Sequence, residues 1–392
     1  MAGPPPPDDE VGARSARRDD RAQSDVTRRE ASTGGPMDAG RPGPVGVDAL
    51  PEGVPVGIAE AFARIAPDME LVEAALRDTL ESKTKLVGTL GAHLLSSGGK
   101  RLRPALVLLA AELCGYQGPR RIALAAALEL LHSATLMHDD IVDLAELRRG
   151  RPSANAIWGN RRAVLAGDFF YARASSIIVE DGNLEIVESY ARTIRLMAEG
   201  ELLQLERSFD VDVTEAHYYD VIERKSATLL SNCCEVGALL GGVTRGERNR
   251  ICEYGRQLGL AFQLRDDCLD YEADVADLGK QPYADLREGK LTLPLILTLK
   301  RCRVGEREQV ASVLKSAARL AEAHGGTAPL EAPELELGPV AELVARYRGL
   351  DDTLRRAQEH VARALEAIAP FPDGSAKRAL RAAAEFSVAR DR

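Results

Sequence analysis

The chain has 392 residues, 45% of them hydrophobic, and a formal net charge of −9. That length suits one large core or two ordinary domains, and the acidic balance argues against a nucleic-acid partner while leaving room for local basic pockets. Aromatic residues make up only 4%, so the core must be aliphatic, and its Ala and Leu favour helix.

Residues 1–52 are rich in Pro, Gly, Asp and Arg and poor in large apolar side chains. Such a segment cannot bury enough surface to offset the entropy of ordering, so a disordered tail is expected. Its start, MAGPPPPDDE, lacks the basic and then apolar order of a secretory signal. Asp8, Asp9, Glu10, Asp19 and Asp20 speak against a transit peptide. No run approaches the roughly 18 apolar residues of a spanning helix. A cytoplasmic protein without an integral membrane segment is therefore expected.

From residue 53 onward one domain is expected. Over 57–82, Ile58, Phe62, Ile65, Leu71, Ala74 and Leu80 recur at helical steps. A Gly98-Gly99 turn leads to Lys100, Arg101, Leu102, Arg103 and Pro104, then to an apolar run, Ala105 to Cys114, that suits a buried helix. The Ala/Leu-rich segment 121–143 has no Gly or Pro and ends in acids. Helical patterns follow over 161–207, 215–240, 246–273 and 291–324. The stretch 324–339 reads as a surface loop or insertion. A helical region at 340–369 is broken by Pro370 and Pro372, and a short helix at 374–389 follows. Alternating strand patterns are missing. The six cysteines (114, 233, 234, 252, 268 and 302) show no C-x-x-C spacing, so they read as buried small hydrophobes.

Two constellations carry chemistry. In His138-Asp139-Asp140-Ile141-Val142-Asp143, a helix puts Asp139 and Asp143 on one face one turn apart. Asp140 lies about 100° round from Asp139. Carboxylates so crowded repel unless cations neutralise them, and oxygen donors suit Mg²⁺, which bridges carboxylates to substrate phosphates. Gln263-Leu264-Arg265-Asp266-Asp267-Cys268-Leu269-Asp270 repeats the spacing after another apolar helical stretch, Leu258 to Phe262. Two such motifs suggest carboxylate sets facing each other across one cavity. Lys100, Arg101, Arg103, Arg148, Arg149, Lys225, Lys280 and Lys290 lie near the turns around them. Arg suits bidentate phosphate contact, and Lys acts as a point charge.

These segments resemble the all-trans polyprenyl diphosphate synthases. Gly98 to Pro104, His132 to Gly150, Trp158 to Ala172, Lys225-Ser226-Ala227, Gln263 to Asp270 and Gly289 to Pro294 follow that family's motif order from about residue 57. The resemblance implies a single-domain all-α helical bundle around a deep central cavity, and a homodimer. It implies Mg²⁺ on Asp139, Asp140, Asp143, Asp266, Asp267 and Asp270. Lys100, Arg103, His132 and Arg149 would hold isopentenyl diphosphate. Arg148, Lys225, Lys280 and Lys290 would contact the diphosphate of the allylic substrate, farnesyl or geranylgeranyl diphosphate. Gln263 and Ser226 would sit at the allylic site. Three departures stand out. Lys225 is followed by Ser226 instead of Thr, Leu144 stands where an acid is frequent, and Tyr283-Ala284 replaces a common Gly-Asn.

The implied reaction ionises the allylic diphosphate, and the isopentenyl double bond attacks the cation, adding five carbons. Water must be excluded from the cation. Product length would depend on the wall below Asp139. Ala134 and Thr135, small and about one turn down, with Leu131 and Leu128 beyond, lead to the expectation of a long product of the quinone side-chain class. A geranylgeranyl diphosphate synthase is the alternative. A class I terpene cyclase would carry Asn, Ser or Thr, and Glu in its second motif, and a non-catalytic subunit would lack one motif or both.

Overall fold

The computed structural model describes residues 56–96, 101–148, 150–272, 283–323 and 335–390. Sixteen α-helices are found among them: α1 (Val56–Thr79), α2 (Lys85–Ser96), α3 (Leu102–Leu113), α4 (Arg120–Val142), α5 (Ala154–Trp158), α6 (Asn160–Glu180), α7 (Leu184–Glu206), α8 (Glu215–Ile222), α9 (Thr228–Gly241), α10 (Arg245–Glu272), α11 (Ala284–Arg287), α12 (Leu293–Leu299), α13 (Val304–Ala323), α14 (Gly338–Arg346), α15 (Gly349–Ile368) and α16 (Ser375–Ala389). A π-helical turn, Glu223–Ala227, joins α8 to α9. The described strands are a two-residue hairpin, Leu147–Arg148 paired antiparallel with Arg151–Pro152. The all-α expectation holds.

The apolar runs of the sequence become the inner helices. In α3, Pro104 to Ala111 are all buried, and α4 buries Leu124 to Leu131 without interruption. Both are shielded all round, as their lack of a polar face requires. One aliphatic core joins α1, α3, α4, α6 and α9 with the first half of α10. A second gathers around the later part of α10, α12, α13 and α14. Helices α4 and α10, which carry the acidic motifs, both pack on α9.

Three expected helices are broken. The 161–207 region divides at Asp181–Asn183, where Asn183 accepts from the Glu185 N–H and caps α7. The 291–324 region is two helices. α12 is buried throughout, while the turn after it is anchored outward by Lys300 to Glu215 and Arg301 to Asp352. The 340–369 region divides at Arg348, whose φ is +58°. Within the expected loop 324–339, residues 324–334 lie outside the described residues, and α14 already begins at Gly338. The tail at 1–52 also lies outside them. Cys114, Cys233, Cys234 and Cys268 are buried, and all six cysteines are free.

Candidate active site

The first acidic motif closes α4. Asp143 caps the helix, and Leu144 follows with φ +51°. The Leu144 N–H bonds the Ile141 carbonyl, and the Ala145 N–H bonds the Asp140 carbonyl (2.8 Å), which is a Schellman ending. It normally takes Gly, because a left-handed Cβ costs about 1–2 kcal/mol. Leu144 accepts that strain where the chain must turn sharply past three carboxylates.

Each carboxylate of this motif has its own surroundings. Asp140 is buried and receives both Arg148 Nε (2.7 and 2.9 Å) and Nη2 (2.6 Å). Asp143 accepts from Lys290 Nζ (3.1 Å). Burial, then the charge of Glu201, pushes the half-buried Asp139 carboxyl up to about 6, against Lys225 and Arg148. Lys225 itself pairs with Glu201 at 2.7 Å.

The second motif lies on one long helix, α10, and is served mainly by neutral donors. Asp267 is 2% exposed. It accepts from the Tyr218 hydroxyl and from Gln263 Nε2 (2.8 Å). Ser226 in turn donates to Gln263 Oε1 (2.7 Å). A continuous chain thus runs from the π-helical turn through Ser226, Gln263 and Asp267 to Tyr218, and the hydroxyl retained in the Lys225-Ser226 pair serves it. Asp270 accepts from the backbone N–H groups of Ala284 (3.0 Å) and Asp285 (3.3 Å). Tyr283, at φ +64°, turns the chain back onto Asp270 in a left-handed conformation that Gly adopts more easily. Asp266 pairs with Arg390 (2.6 Å), whose guanidinium also lies over the Phe262 ring at 3.6 Å.

Burial first, and then Asp285, hold the Asp267 and Asp270 carboxyls well above the usual carboxylate range. Burial opposes the Lys290 charge, but Glu288, Asp143 and Asp285 together keep its pKa above the ordinary lysine value. A cavity of about 160 Å³ is lined by Lys225, Ser226, Gln263, Asp267 and Lys290, together with Tyr218 and Asp285. Among the described residues no three carboxylate, imidazole or thiol groups converge as a ready-made metal cluster. The carboxylates are engaged one at a time. As a donor set they nevertheless fit a hard divalent cation, because they are all oxygen and partly or fully buried.

Two glycines position Lys225. A Cβ on Gly200 of α7 would lie 2.8 Å from the Lys225 nitrogen, and one on Gly259 of α10 would lie 2.5 Å from the Ala227 Cα. The π-helical turn is thus wedged between two helices at their narrowest points, a placement typical of functional sites.

Lys100, Arg149 and Lys280 lie outside the described residues. Arg103 and His132 are half-buried at the starts of α3 and in mid-α4, and Arg103 Nε is buried without a hydrogen bond. Ala134, Leu131 and Leu128 are buried in the first core. Thr135 is half-buried, with its hydroxyl donating to the His132 carbonyl. None of these four lines the 160 Å³ cavity. Sequence reasoning missed Glu201, Tyr218, Asp285, Glu288 and Arg390. Glu201 sits on a mid-helix face with no motif around it, Tyr218, Asp285 and Arg390 act through contacts remote in sequence, and Glu288 meets Lys290 from just outside the quoted motif.

Comparison with known proteins now adds to this geometry. The fold is that of an all-α isoprenoid synthase. The polyprenyl synthetase family profile matches residues 84–324. The octaprenyl diphosphate synthase of Escherichia coli K12 is 40% identical over 83% of this chain and 97% of its own. The all-trans-nonaprenyl-diphosphate synthase (geranyl-diphosphate specific) of Rhodobacter capsulatus is 37% identical over 82% and 94%. The crystal structure of a Caulobacter crescentus polyprenyl synthase complexed with calcium and isoprenyl diphosphate superposes with a TM-score of 0.79. It is 38% identical, and the match covers 86% of this chain and 98% of that one. The chain belongs to the polyprenyl synthetase family, and it is a prenyltransferase.

Proposed function

We propose that the protein lengthens a farnesyl or geranylgeranyl diphosphate by successive condensations with isopentenyl diphosphate, giving a long-chain all-trans polyprenyl diphosphate of the quinone side-chain class. The observation that carries the reading is Lys290. It lines the cavity with Asp267 and Gln263 and bonds Asp143 of the first motif, so both motifs border one reaction space.

In this reading Asp139, Asp140, Asp143, Asp266, Asp267 and Asp270 hold Mg²⁺, which supplies Lewis-acid stabilisation of the leaving diphosphate. Arg148, Lys225, Lys280 and Lys290 bind the allylic diphosphate. Lys100, Arg103, His132 and Arg149 bind isopentenyl diphosphate, the buried Arg103 Nε being a donor without a partner among the described residues. Gln263, fixed by Ser226, holds Asp267 in place beside the allylic group. The aliphatic walls Val221, Ile222 and Leu291 keep water from the allylic cation.

Small residues at Ala134 and Thr135 support a long product, as do the names of the octaprenyl and nonaprenyl relatives. The test is incubation with Mg²⁺, farnesyl diphosphate and isopentenyl diphosphate, reading product length by mass spectrometry. Seven or more isoprene units are expected. Products stopping at four would make the protein a geranylgeranyl diphosphate synthase, and no elongation would sink the reading. Ala134→Phe should shorten the product, and unchanged length would remove the wall argument.

A homodimer is part of the reading. Leu165 and Val179 on α6 and Leu184, Leu202 and Leu205 on α7 are all more than half exposed. A second copy would cover such an apolar face. Sedimentation should give twice the chain mass, reduced to one by Leu165→Glu with Leu202→Glu. Residues 53–392 are taken as the catalytic unit, so removing 1–52 should leave turnover intact. No helix among the described residues is long and apolar enough to cross a membrane, and the proposed location is the cytoplasm.

A further inference from the structure

A larger cavity, of about 310 Å³, opens between α8, the π-helical turn, α10 and α15. Its residues take no part in the proposed reaction. The floor is built of two buried polar groups. His360 and Gln257 are 7% and 2% exposed, and His360 Nδ1 lies 2.5 Å from Gln257 Oε1. Gln257 Nε2 donates to Glu253 (2.7 Å), so Oε1 is the acceptor and Nδ1 of His360 carries the hydrogen.

Three guanidiniums surround this floor, and they differ in how far their charge is already used. Arg256 is engaged by both Glu253 and Glu223. Arg356 pairs with Glu215, a carboxylate that Lys300 shares. Arg363 makes no hydrogen bond or ion pair with any other described residue. Glu359 lies on the rim but is taken by Arg355 (2.9 Å). Burial first, then Arg363, Arg256 and Arg356, push His360 down to about 4, with Glu359 alone opposing them. Three guanidiniums against two carboxylates, Glu223 and Glu359, line the cavity, so its lining carries a net positive balance.

We propose that this cavity binds a small phosphorylated anion, held by Arg363 and Arg356 above the His360–Gln257 floor. Arg forks match phosphate oxygens in bidentate fashion, and a guanidinium without a hydrogen bond among the described residues, beside a half-used one, leaves donors for such a group. Inorganic diphosphate, released at every condensation in the proposed reaction, is the simplest ligand of this class. The position couples the cavity to the chemistry. Glu223 in its wall opens the π-helical turn that carries Lys225, and Tyr219 follows Tyr218, the donor to Asp267. An anion that competes for Arg256 changes how Glu223 is held, and with it the turn bearing Lys225.

The test is isothermal titration of inorganic diphosphate into the full chain with a chelator and no divalent cation. Under these conditions the acidic motifs repel the ligand. Binding should weaken at least tenfold in Arg363→Ala, recover in part in Arg363→Lys, and survive in Lys225→Ala. Arg363 is exposed, and its truncation should leave the melting temperature and basal turnover unchanged. Binding as in wild type by both Arg363→Ala and Arg356→Ala would overturn the proposal, as would binding lost only in Lys225→Ala. The readout needs no turnover, so its failure is distinct from failure of the synthase reading.

Discussion

The two aspartate motifs share one spacing and differ in how far they are compensated: among the described residues, two carboxylates of the first pair with a cation, and in the second only Asp266 does, with Arg390. At the end of α4, Asp140 and Asp143 are met by the chain's own cations, Arg148 and Lys290. On α10, Asp267 and Asp270 are met by a phenol, an amide and backbone N–H groups. Neutral donors fix a carboxylate's direction without cancelling its charge. The second motif therefore keeps the greater demand for an external cation, while the first is already partly compensated. Identical letters in sequence do not make identical sites, because a charged or a neutral neighbour is set by distant residues.

Removing one charge from each motif should expose the difference most directly. Asp267→Asn should lower kcat by about 10²–10³-fold, the range typical of losing a major electrostatic stabiliser. Asp143→Asn, whose charge Lys290 already shares, should cost clearly less. Equal losses in steady-state assays would end the distinction. Next in size is Gly259→Ala. The new methyl would press on Ala227 and displace the π-helical turn, costing about 1–3 kcal/mol of stability and up to about 10²-fold in kcat through misplacement of Lys225. Gly246→Ala, where nothing crowds the position but the Thr244 hydroxyl at 4.0 Å, is the control. Wild-type turnover in Gly259→Ala would show that the turn tolerates movement.

Tyr218→Phe removes one of the two side-chain donors to Asp267. It leaves Asp267 with fewer orienting donors and should raise the Mg²⁺ concentration for half-maximal activity about tenfold, as loss of a residue supporting a metal ligand commonly does. An unchanged metal titration would mean that Gln263 alone suffices. The smallest effect concerns the α10–α15 seam behind that motif. His360 has a folded pKa of about 4 against an ordinary 6.5, so the unfolded chain binds its proton first as pH falls. Its contribution is complete above pH 6.5 and lost as pH drops towards 4, by no more than about 3 kcal/mol. Denaturant unfolding at pH 7.5 and 4.5 should show a smaller acid loss for His360→Gln than for wild type. Equal losses would clear His360 of the effect.

Much of this was legible in sequence. The shielded helix α3 announces itself as an apolar run and α4 as an Ala/Leu-rich segment without Gly or Pro, and the acidic motifs fall at α4's end and within α10. What was hidden depends on tertiary contact. The π-helical turn exists because Gly200 and Gly259 let two helices close on it, and neither glycine stands in a motif. The break after α12 contains no Gly or Pro before Gly305, being fixed by ion pairs to Glu215 and Asp352. Tyr218 reaches Asp267 across 49 positions, a distance no local pattern spans.

Arg148 and Lys290 carry a consequence for the order of events. Each is both counterion to the first motif and, in the proposed reading, ligand to the allylic diphosphate. The site then behaves as an ion exchanger. If these carboxylates took up a divalent cation, Arg148 and Lys290 would be released from Asp140 and Asp143 and become available to the incoming diphosphate. Metal and substrate would then be bound together by electroneutrality, each making room for the other's charge.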